Sequence, residues 1–181
     1  MLQPGDPAPS FELPRDGGSS VRSDDLRGRR YLIYFYPKDD TPGCTRQACA
    51  FRDRLPDFEQ VELPIFGVSA DTVRAHDRFA LKHHLGFPLL ADPDHALIEA
   101  YGVWVEKSLY GRHYFGIQRS SFLVDADGRI EHSWPKVSPE KHPDEVLAWL
   151  SEHGGASSRS SISTTRRKAV APSKQAKARG T

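Results

Sequence analysis

Cys44 and Cys49 are the only thiols in the 181-residue chain, and they lie five positions apart. They follow a Thr-Pro-Gly turn in the stretch YFYPKDDTPGCTRQACAF, residues 34–51. A cysteine thiolate is both a nucleophile and a metal ligand, and two cysteines are too few for the disulfide framework of a small secreted protein. The pair therefore indicates redox or metal chemistry, with two inert thiols in a helix as the simplest alternative.

Cys44 is predicted to lie at the amino end of a helix. Apolar side chains between positions 43 and 62 recur at spacings of three and four, as on one helix face. Since proline removes a helical hydrogen bond, we expect a helix from about Cys44 to Arg54 and a kink or a restart at Pro56. The unpaired amides and the positive end of the helix dipole stabilise an anion, which favours the thiolate form of Cys44.

The spacing of the two cysteines restricts how they can bond. On an ideal helix, Cys49 lies about 140° around the axis from Cys44, with a Cα separation of roughly 8.7 Å. A disulfide requires Cα atoms closer than about 7 Å, so the first turns of the helix must unwind before the sulfurs can join. A general disulfide oxidoreductase would instead separate its cysteines by two residues, close enough to bond without unfolding.

The surrounding elements predict a mixed α/β fold. Strands and helices alternate early, and a hairpin with a turn at 126–128 comes late, so a thioredoxin-like fold with a mixed central β-sheet flanked by helices fits better than an all-parallel Rossmann sheet. The predicted strands are 31–36, 64–70, 120–125 and 129–134, and the predicted helices follow Thr72 and cover 96–103 and 143–153.

The helix after Thr72 is predicted to end before Gly86. Its predicted apolar face consists of Val73, Ala75, Phe79, Ala80 and Leu81.

Charge divides the chain into a domain at 1–153 and a tail at 154–181. The net charge is +1, and the tail holds seven basic residues and no acid, which leaves −6 for the domain. The tail lacks aromatic residues, so we expect it to be disordered, with weak nonspecific nucleic-acid contact as an alternative role. The first thirty residues show no signal-peptide pattern and no stretch could span a membrane, so we expect a cytoplasmic protein.

The run Pro37-x-x-x-Thr41-x-x-Cys44 resembles the active-site signature of the peroxiredoxins. With the preceding aromatic strand and the C-x4-C spacing, it is similar to the bacterioferritin-comigratory protein, or peroxiredoxin Q, branch of that family. The likeness extends over about residues 3–153. It is carried by GDPAPSFELP (5–14), FGVSAD (66–71), FPLLADPDH (87–95), YGVWVEKSLYG (101–111) and GIQRSSFLVDADGRIEH (116–132).

The resemblance implies thiol peroxidase chemistry. Cys44 matches the peroxidatic cysteine, whose thiolate attacks a hydroperoxide and becomes a sulfenic acid. Cys49 matches the resolving cysteine, which condenses with that sulfenic acid to an intramolecular disulfide. Thr41 matches the threonine that holds the peroxide oxygen against the thiolate. Arg119 matches the arginine that supports the thiolate and the departing oxygen.

The resemblance also implies supporting groups and partners. Pro37 matches the proline that covers the site, and the backbone amides of Gly43 and Cys44 are expected to donate to the peroxide. Cleaving an O–O bond requires an anion and fixed donors, so no metal and no organic cofactor are expected. Thioredoxin or a similar dithiol is expected as reductant, and the intramolecular pairing predicts a monomer.

Each residue also has a plainer interpretation. Thr41 alone would be a turn residue and Arg119 alone a surface ion pair. A zinc site would need about four ligands, of which the nearest candidates are His76, His83 and His84. The remaining histidines, including His113, His132 and His142, are expected to be solvated.

Overall fold

A five-stranded mixed sheet forms the centre of the computed structural model, which describes residues 1–154. Its strand order is β5-β4-β3-β8-β9: β3, β4 and β5 run parallel, β8 is antiparallel to β3, and β9 is antiparallel to β8. β1 pairs with β2, and β6 pairs with β7, in two separate hairpins. The strands are β1 (Glu12–Pro14), β2 (Ser20–Arg22), β3 (Tyr31–Phe35), β4 (Ile65–Ser69), β5 (Leu89–Ala91), β6 (Trp104–Leu109), β7 (Arg112–Ile117), β8 (Ser120–Val124) and β9 (Ile130–Trp134).

Four α-helices and a short 3-10 helix complete the described part of the chain. None of the helices within residues 1–154 has the length and apolar character needed to cross a membrane. The expectations for the basic tail fall outside the described residues, except for Gly154. The helices are α1 (Pro42–Gln60), α2 (Val73–His83), α3 (Ala96–Ala100), α4 (His142–His153) and the 3-10 helix Ser23–Leu26.

The sheet is buried on both faces, as the continuous apolar strands predict. Successive residues of β3 point to opposite faces. Leu32 and Tyr34 pack with the apolar sides of α1, α2 and α4, and Ile33 and Phe35 pack with α3 and the segment before β1. The predicted mixed sheet flanked by helices is therefore confirmed.

Helix α1 is longer than predicted at both ends. It begins at Pro42, where proline has no amide hydrogen to lose and its fixed φ suits a first helical residue. It continues through Pro56 to Gln60, so the predicted end near Arg54 and restart are wrong. Pro56 is exposed, and at an exposed position water can replace the helical hydrogen bond that proline removes.

Helix α2 begins as predicted, and its buried face agrees with the prediction in part. The Thr72 side chain accepts a hydrogen bond from the Ala75 amide, as expected of an N-cap. The buried positions are His76, Phe79 and Ala80, whereas Leu81 is 76% exposed and does not belong to the apolar face. The helix ends at His83, and His84 adopts a left-handed conformation at φ 51°, so termination precedes Gly86.

Candidate active site

Cys44 occupies the third residue of α1, directly after the loop that leaves β3. Thr41 is the N-cap, with extended backbone angles, and its carbonyl accepts the first helical bond from Thr45 at 2.8 Å. The amides of Gly43 and Cys44 belong to the first turn, where no carbonyl one turn earlier is available to them. The sequence therefore brings Thr41, Gly43 and Cys44 together at one helix end, as predicted.

Thr41 does not cap the helix with its side chain. Its hydroxyl donates to the carbonyl of Lys38 at 2.9 Å. Because a hydroxyl has one hydrogen and two lone pairs, this bond leaves the Thr41 oxygen able to accept from a ligand.

Arg119 lies beside Cys44, although 75 positions separate them in sequence. Its Nη2 donates to the Cys44 Sγ at 3.1 Å. Arg119 directly precedes β8, and Ser120 of that strand lies opposite Phe35, the last residue of β3. The strand pairing thus places Arg119 at the sheet end from which the loop to α1 leaves. A charged donor at this distance stabilises a thiolate.

Gln47 is a site residue that the sequence analysis missed. Its side-chain oxygen accepts a hydrogen bond from Nη1 of Arg119, so the guanidinium is held at both ends of its fork. Gln47 is fully buried, and its Nε2 has no hydrogen-bond partner among residues 1–154. It lies three residues after Cys44 on the same helix face, and this spacing is the signal that could have found it.

Gly43 leaves room for the arginine. A Cβ atom at this position would lie 3.3 Å from Nη2 of Arg119, closer than most Cβ contacts. A side chain at position 43 would therefore displace the guanidinium from Cys44.

Aromatic side chains form the apolar wall behind Cys44. Cys44 is 2% exposed and belongs to the same core cluster as Tyr34 and Phe51, whose rings stack at 4.9 Å. Burial, helped by the nearby charges of Cys44 and Asp39, raises the pKa of Tyr34 well above its ordinary value. Tyr34 thus stays a neutral phenol and adds no negative charge beside the sulfur.

Lys107, in β6, is a second cation near the site that the sequence analysis missed. Burial lowers the pKa of Lys107, the charge of Arg119 lowers it further, and the charge of Cys44 raises it. Its Nζ donates to the carbonyl of Ile117 at 2.6 Å, which ties β6 to the end of β7, two residues before Arg119. No motif or periodicity marks this position in the sequence.

Cys49 lies about 1.4 turns further along α1. It is partly buried, and the two thiols are not bonded to each other. The helix is continuous through both cysteines, which keeps the sulfurs apart as ideal helix geometry requires.

The sequence analysis also named Pro37 as a site residue and three histidines as candidate zinc ligands. Pro37 lies in the loop after β3 and is exposed, and its role as a cover stays a prediction. His83 contacts Asp40 at the surface, and no three His, Cys, Asp or Glu side chains within residues 1–154 are grouped to hold a metal ion.

The expectation that His142 is solvated is wrong. The residue is fully buried, and its Nε2 lies 2.7 Å from the Ser121 hydroxyl. Its position in the first turn of α4 directs the ring between that helix and β8.

Known proteins match both the sequence and the fold. A sequence model of the AhpC/TSA family matches residues 4–133. The peroxiredoxin Bcp of Escherichia coli is 48% identical over 152 residues, which cover 84% of this chain and 97% of that protein.

Two solved structures agree. The Xanthomonas campestris bacterioferritin comigratory protein, studied for its alkyl peroxide reduction activity, matches with a TM-score of 0.75 and 41% identity over 79% of this chain and 91% of its own. A cysteine variant of Xylella fastidiosa PrxQ matches with a TM-score of 0.80 and 35% identity over 85% of this chain and 98% of its own.

Proposed function

The chain belongs to the AhpC/TSA family and is a peroxiredoxin of the Bcp type, and we propose that it reduces hydroperoxides through Cys44 and Cys49. The observation that carries this assignment of residues is the contact of 3.1 Å between Arg119 Nη2 and the Cys44 sulfur at the amino end of α1. The contact places a charged donor against a nucleophile. That nucleophile already lies among the amides of a first helical turn.

The first step is a displacement at oxygen. The Cys44 thiolate attacks one oxygen of the peroxide, an S–O bond forms, and the O–O bond breaks. The departing oxygen leaves with the electron pair of that bond and takes a proton, which gives water or an alcohol, and Cys44 becomes a sulfenic acid. Arg119 and the amides of Gly43 and Cys44 stabilise the charge that develops, and Thr41 accepts a hydrogen bond from the bound peroxide.

The second step forms a disulfide. The first turns of α1 unwind, the Cys49 thiolate attacks the Cys44 sulfur, and hydroxide leaves with a proton as water. The helical separation of the two residues requires the unwinding, because the sulfurs cannot meet across an intact helix. A dithiol reductant then restores both thiols, and thioredoxin is the proposed partner.

The same arrangement predicts how the enzyme is organised. Both cysteines lie in one helix, so no second subunit is needed to complete the cycle, and we expect a monomer. Residues 1–153 carry the whole proposed site, which makes them the peroxidase domain, and a cytoplasmic location would supply the reducing partner.

Steady-state and single-turnover assays test the proposal. Hydrogen peroxide or an alkyl hydroperoxide should be consumed with thioredoxin oxidation, and Cys44→Ser should abolish the reaction. Cys49→Ser should consume one equivalent of peroxide and then stop, because the sulfenic acid has no resolving thiol. Full activity of Cys44→Ser, or normal cycling of Cys49→Ser, would contradict the assigned roles.

A further inference from the structure

A cluster of buried polar side chains lies behind the loop between β3 and α1. His76 of α2 is fully buried, and its Nδ1 lies 2.7 Å from Oδ2 of Asp39, which is 9% exposed. The other carboxylate oxygen of Asp39 accepts a hydrogen bond from the Tyr36 hydroxyl at 2.7 Å. The remaining nitrogen of His76, Nε2, lies 3.1 Å from the carbonyl of Leu90 in β5.

Both ring nitrogens of His76 face an oxygen acceptor. Nδ1 lies 2.7 Å from Oδ2 of Asp39, and Nε2 lies 3.1 Å from the Leu90 carbonyl. The polar atoms of this buried pair are thus matched with each other and with the neighbouring strand, which is the condition for burying them without a large cost.

The pair fixes a loop that leads directly into the proposed site. Asp39 lies two residues before Thr41, and its own amide donates to Oδ2 of Asp71 at 2.8 Å. Asp39 is thus bound through its backbone and both carboxylate oxygens, and His76 connects it to α2 and β5. The Thr41 hydroxyl is in turn held by the carbonyl of Lys38, within the same loop.

We propose that Asp39 and His76 form a clamp that positions Thr41 and the amino end of α1 for reaction with peroxide. The inference rests on the proposed function of Cys44 and adds two positioning residues that do not touch the substrate. Arg119 contacts the sulfur directly, whereas the clamp orients Thr41 and the first-turn amides, which must meet the peroxide oxygen.

Two substitutions at one position separate the clamp from the rest of the fold. Asn in place of Asp39 can donate an amide hydrogen to Nδ1 of a neutral His76 and still accept from Tyr36, so Asp39→Asn keeps both side-chain bonds of the clamp. Asp39→Leu has a similar size and makes neither bond. Asp40→Asn is the matched control, because Asp40 is the adjacent loop carboxylate and forms only exposed ion pairs with Lys82 and His83.

Two reagents distinguish positioning from a general effect on the thiol. Reaction with hydrogen peroxide requires Thr41 and the amides in place, whereas alkylation of Cys44 by iodoacetamide requires only an accessible thiolate. A displacement of reacting groups by about 1 Å can slow a reaction on the order of a hundredfold. We expect Asp39→Leu to react about 10- to 100-fold more slowly with peroxide and within about twofold of wild type with iodoacetamide. Asp39→Asn should stay within about threefold in both assays, and Asp40→Asn within about twofold.

The outcomes that overturn the clamp are distinct from those that overturn the proposed function. An unchanged peroxide rate in Asp39→Leu, or an equal loss with both reagents, refutes the clamp. Should Asp39→Leu not fold by circular dichroism, Asp39→Asn combined with His76→Leu tests the same point, because no unpaired charge is buried. It should show the same selective loss with peroxide, and equal rates would reject the clamp. A wild-type protein whose Cys44 does not react with peroxide would instead refute the proposed function.

Discussion

Replacing Gly43 by alanine should change the two chemical steps of the cycle by two different physical causes. Gly43 is the second residue of α1, and an added Cβ would lie 3.3 Å from Nη2 of Arg119. The guanidinium must then move by a few tenths of an ångström, away from its contact of 3.1 Å with the Cys44 sulfur. At the same time, alanine is the better helix former, so the first turn becomes harder to unwind.

The expected rate changes follow from these two causes. A hydrogen bond to a charged group contributes about 1.5–3 kcal/mol, and partial loss of the arginine contact should slow the peroxide step about 3- to 10-fold. Alanine exceeds glycine in helix propensity by about 0.8–1.0 kcal/mol, which would slow unwinding, and with it disulfide formation, by up to about fivefold.

Single-turnover measurements resolve the two steps. Rapid mixing with peroxide, followed by quenching with dimedone to trap the sulfenic acid, gives the first rate, and the loss of the Cys49 thiol gives the second. Thr45→Ala is the matched control: it raises the helix propensity of the same turn by up to about 0.7 kcal/mol but adds no atom beside Arg119. It should slow disulfide formation about two- to threefold and leave the peroxide step unchanged.

Formation of the sulfenic acid by Gly43→Ala at the wild-type rate would show that the position of Arg119 does not depend on the space at Gly43. A peroxide step slowed as much by Thr45→Ala as by Gly43→Ala would show that the loss comes from the helix rather than from Arg119.

Three further substitutions test individual contacts. Gln47→Leu removes the acceptor that holds Nη1 of Arg119 and should slow the reaction with peroxide about 10- to 100-fold in stopped-flow assays, and a wild-type rate would show that the arginine needs no second anchor. Pro56→Ala restores a helical hydrogen bond and should raise the free energy of unfolding by about 1–3 kcal/mol in denaturant titrations, and unchanged stability would show that the helix had already adapted to proline. Burial lowers the pKa of His142 to about 3, so the unfolded chain binds a proton that the folded one does not as pH falls from about 6.5 to 3. In that window this group should lower the free energy of unfolding by roughly 1 kcal/mol per pH unit as the pH falls. The stability of His142→Gln should therefore depend less steeply on pH. An equally steep dependence in the variant would show that other groups cause the loss of stability.

The sequence was most informative where local patterns decide structure. The apolar run 31–36 and the hairpin around 126–128 predicted β3, β8 and β9, because buried strands and tight turns depend on nearby residues. The Thr72 cap was also found from local signals. The extent of α1 through Pro56 was not, because a proline is tolerated where the carbonyl it leaves unpaired meets water, and exposure is a property of the fold.

The candidate site likewise contains residues that local sequence patterns predict and residues that they do not. Residues within the motif around Cys44 were expected at one helix end, and the resemblance to the peroxiredoxins placed Arg119 with them. Gln47 was not anticipated although its helical spacing from Cys44 points to it, because its role depends on a bond to Arg119, a residue far away in sequence. Lys107 was not anticipated because no motif or periodicity marks its position. The burial of His142 escaped notice because a histidine beside a helix start carries no sign of which way its ring turns.

The pairing of β3 with β8 limits where residues can be inserted into this protein or deleted from it. Phe35 stands opposite Ser120, and this pairing fixes the position of the arginine that precedes β8 relative to the loop that follows β3. A slip by one residue in either strand would exchange the two faces of the sheet and separate the cation from the sulfur. Insertions and deletions should therefore accumulate at outlying bends, such as the exposed tip at Tyr110 and Gly111, while the number of residues in these two strands stays constant.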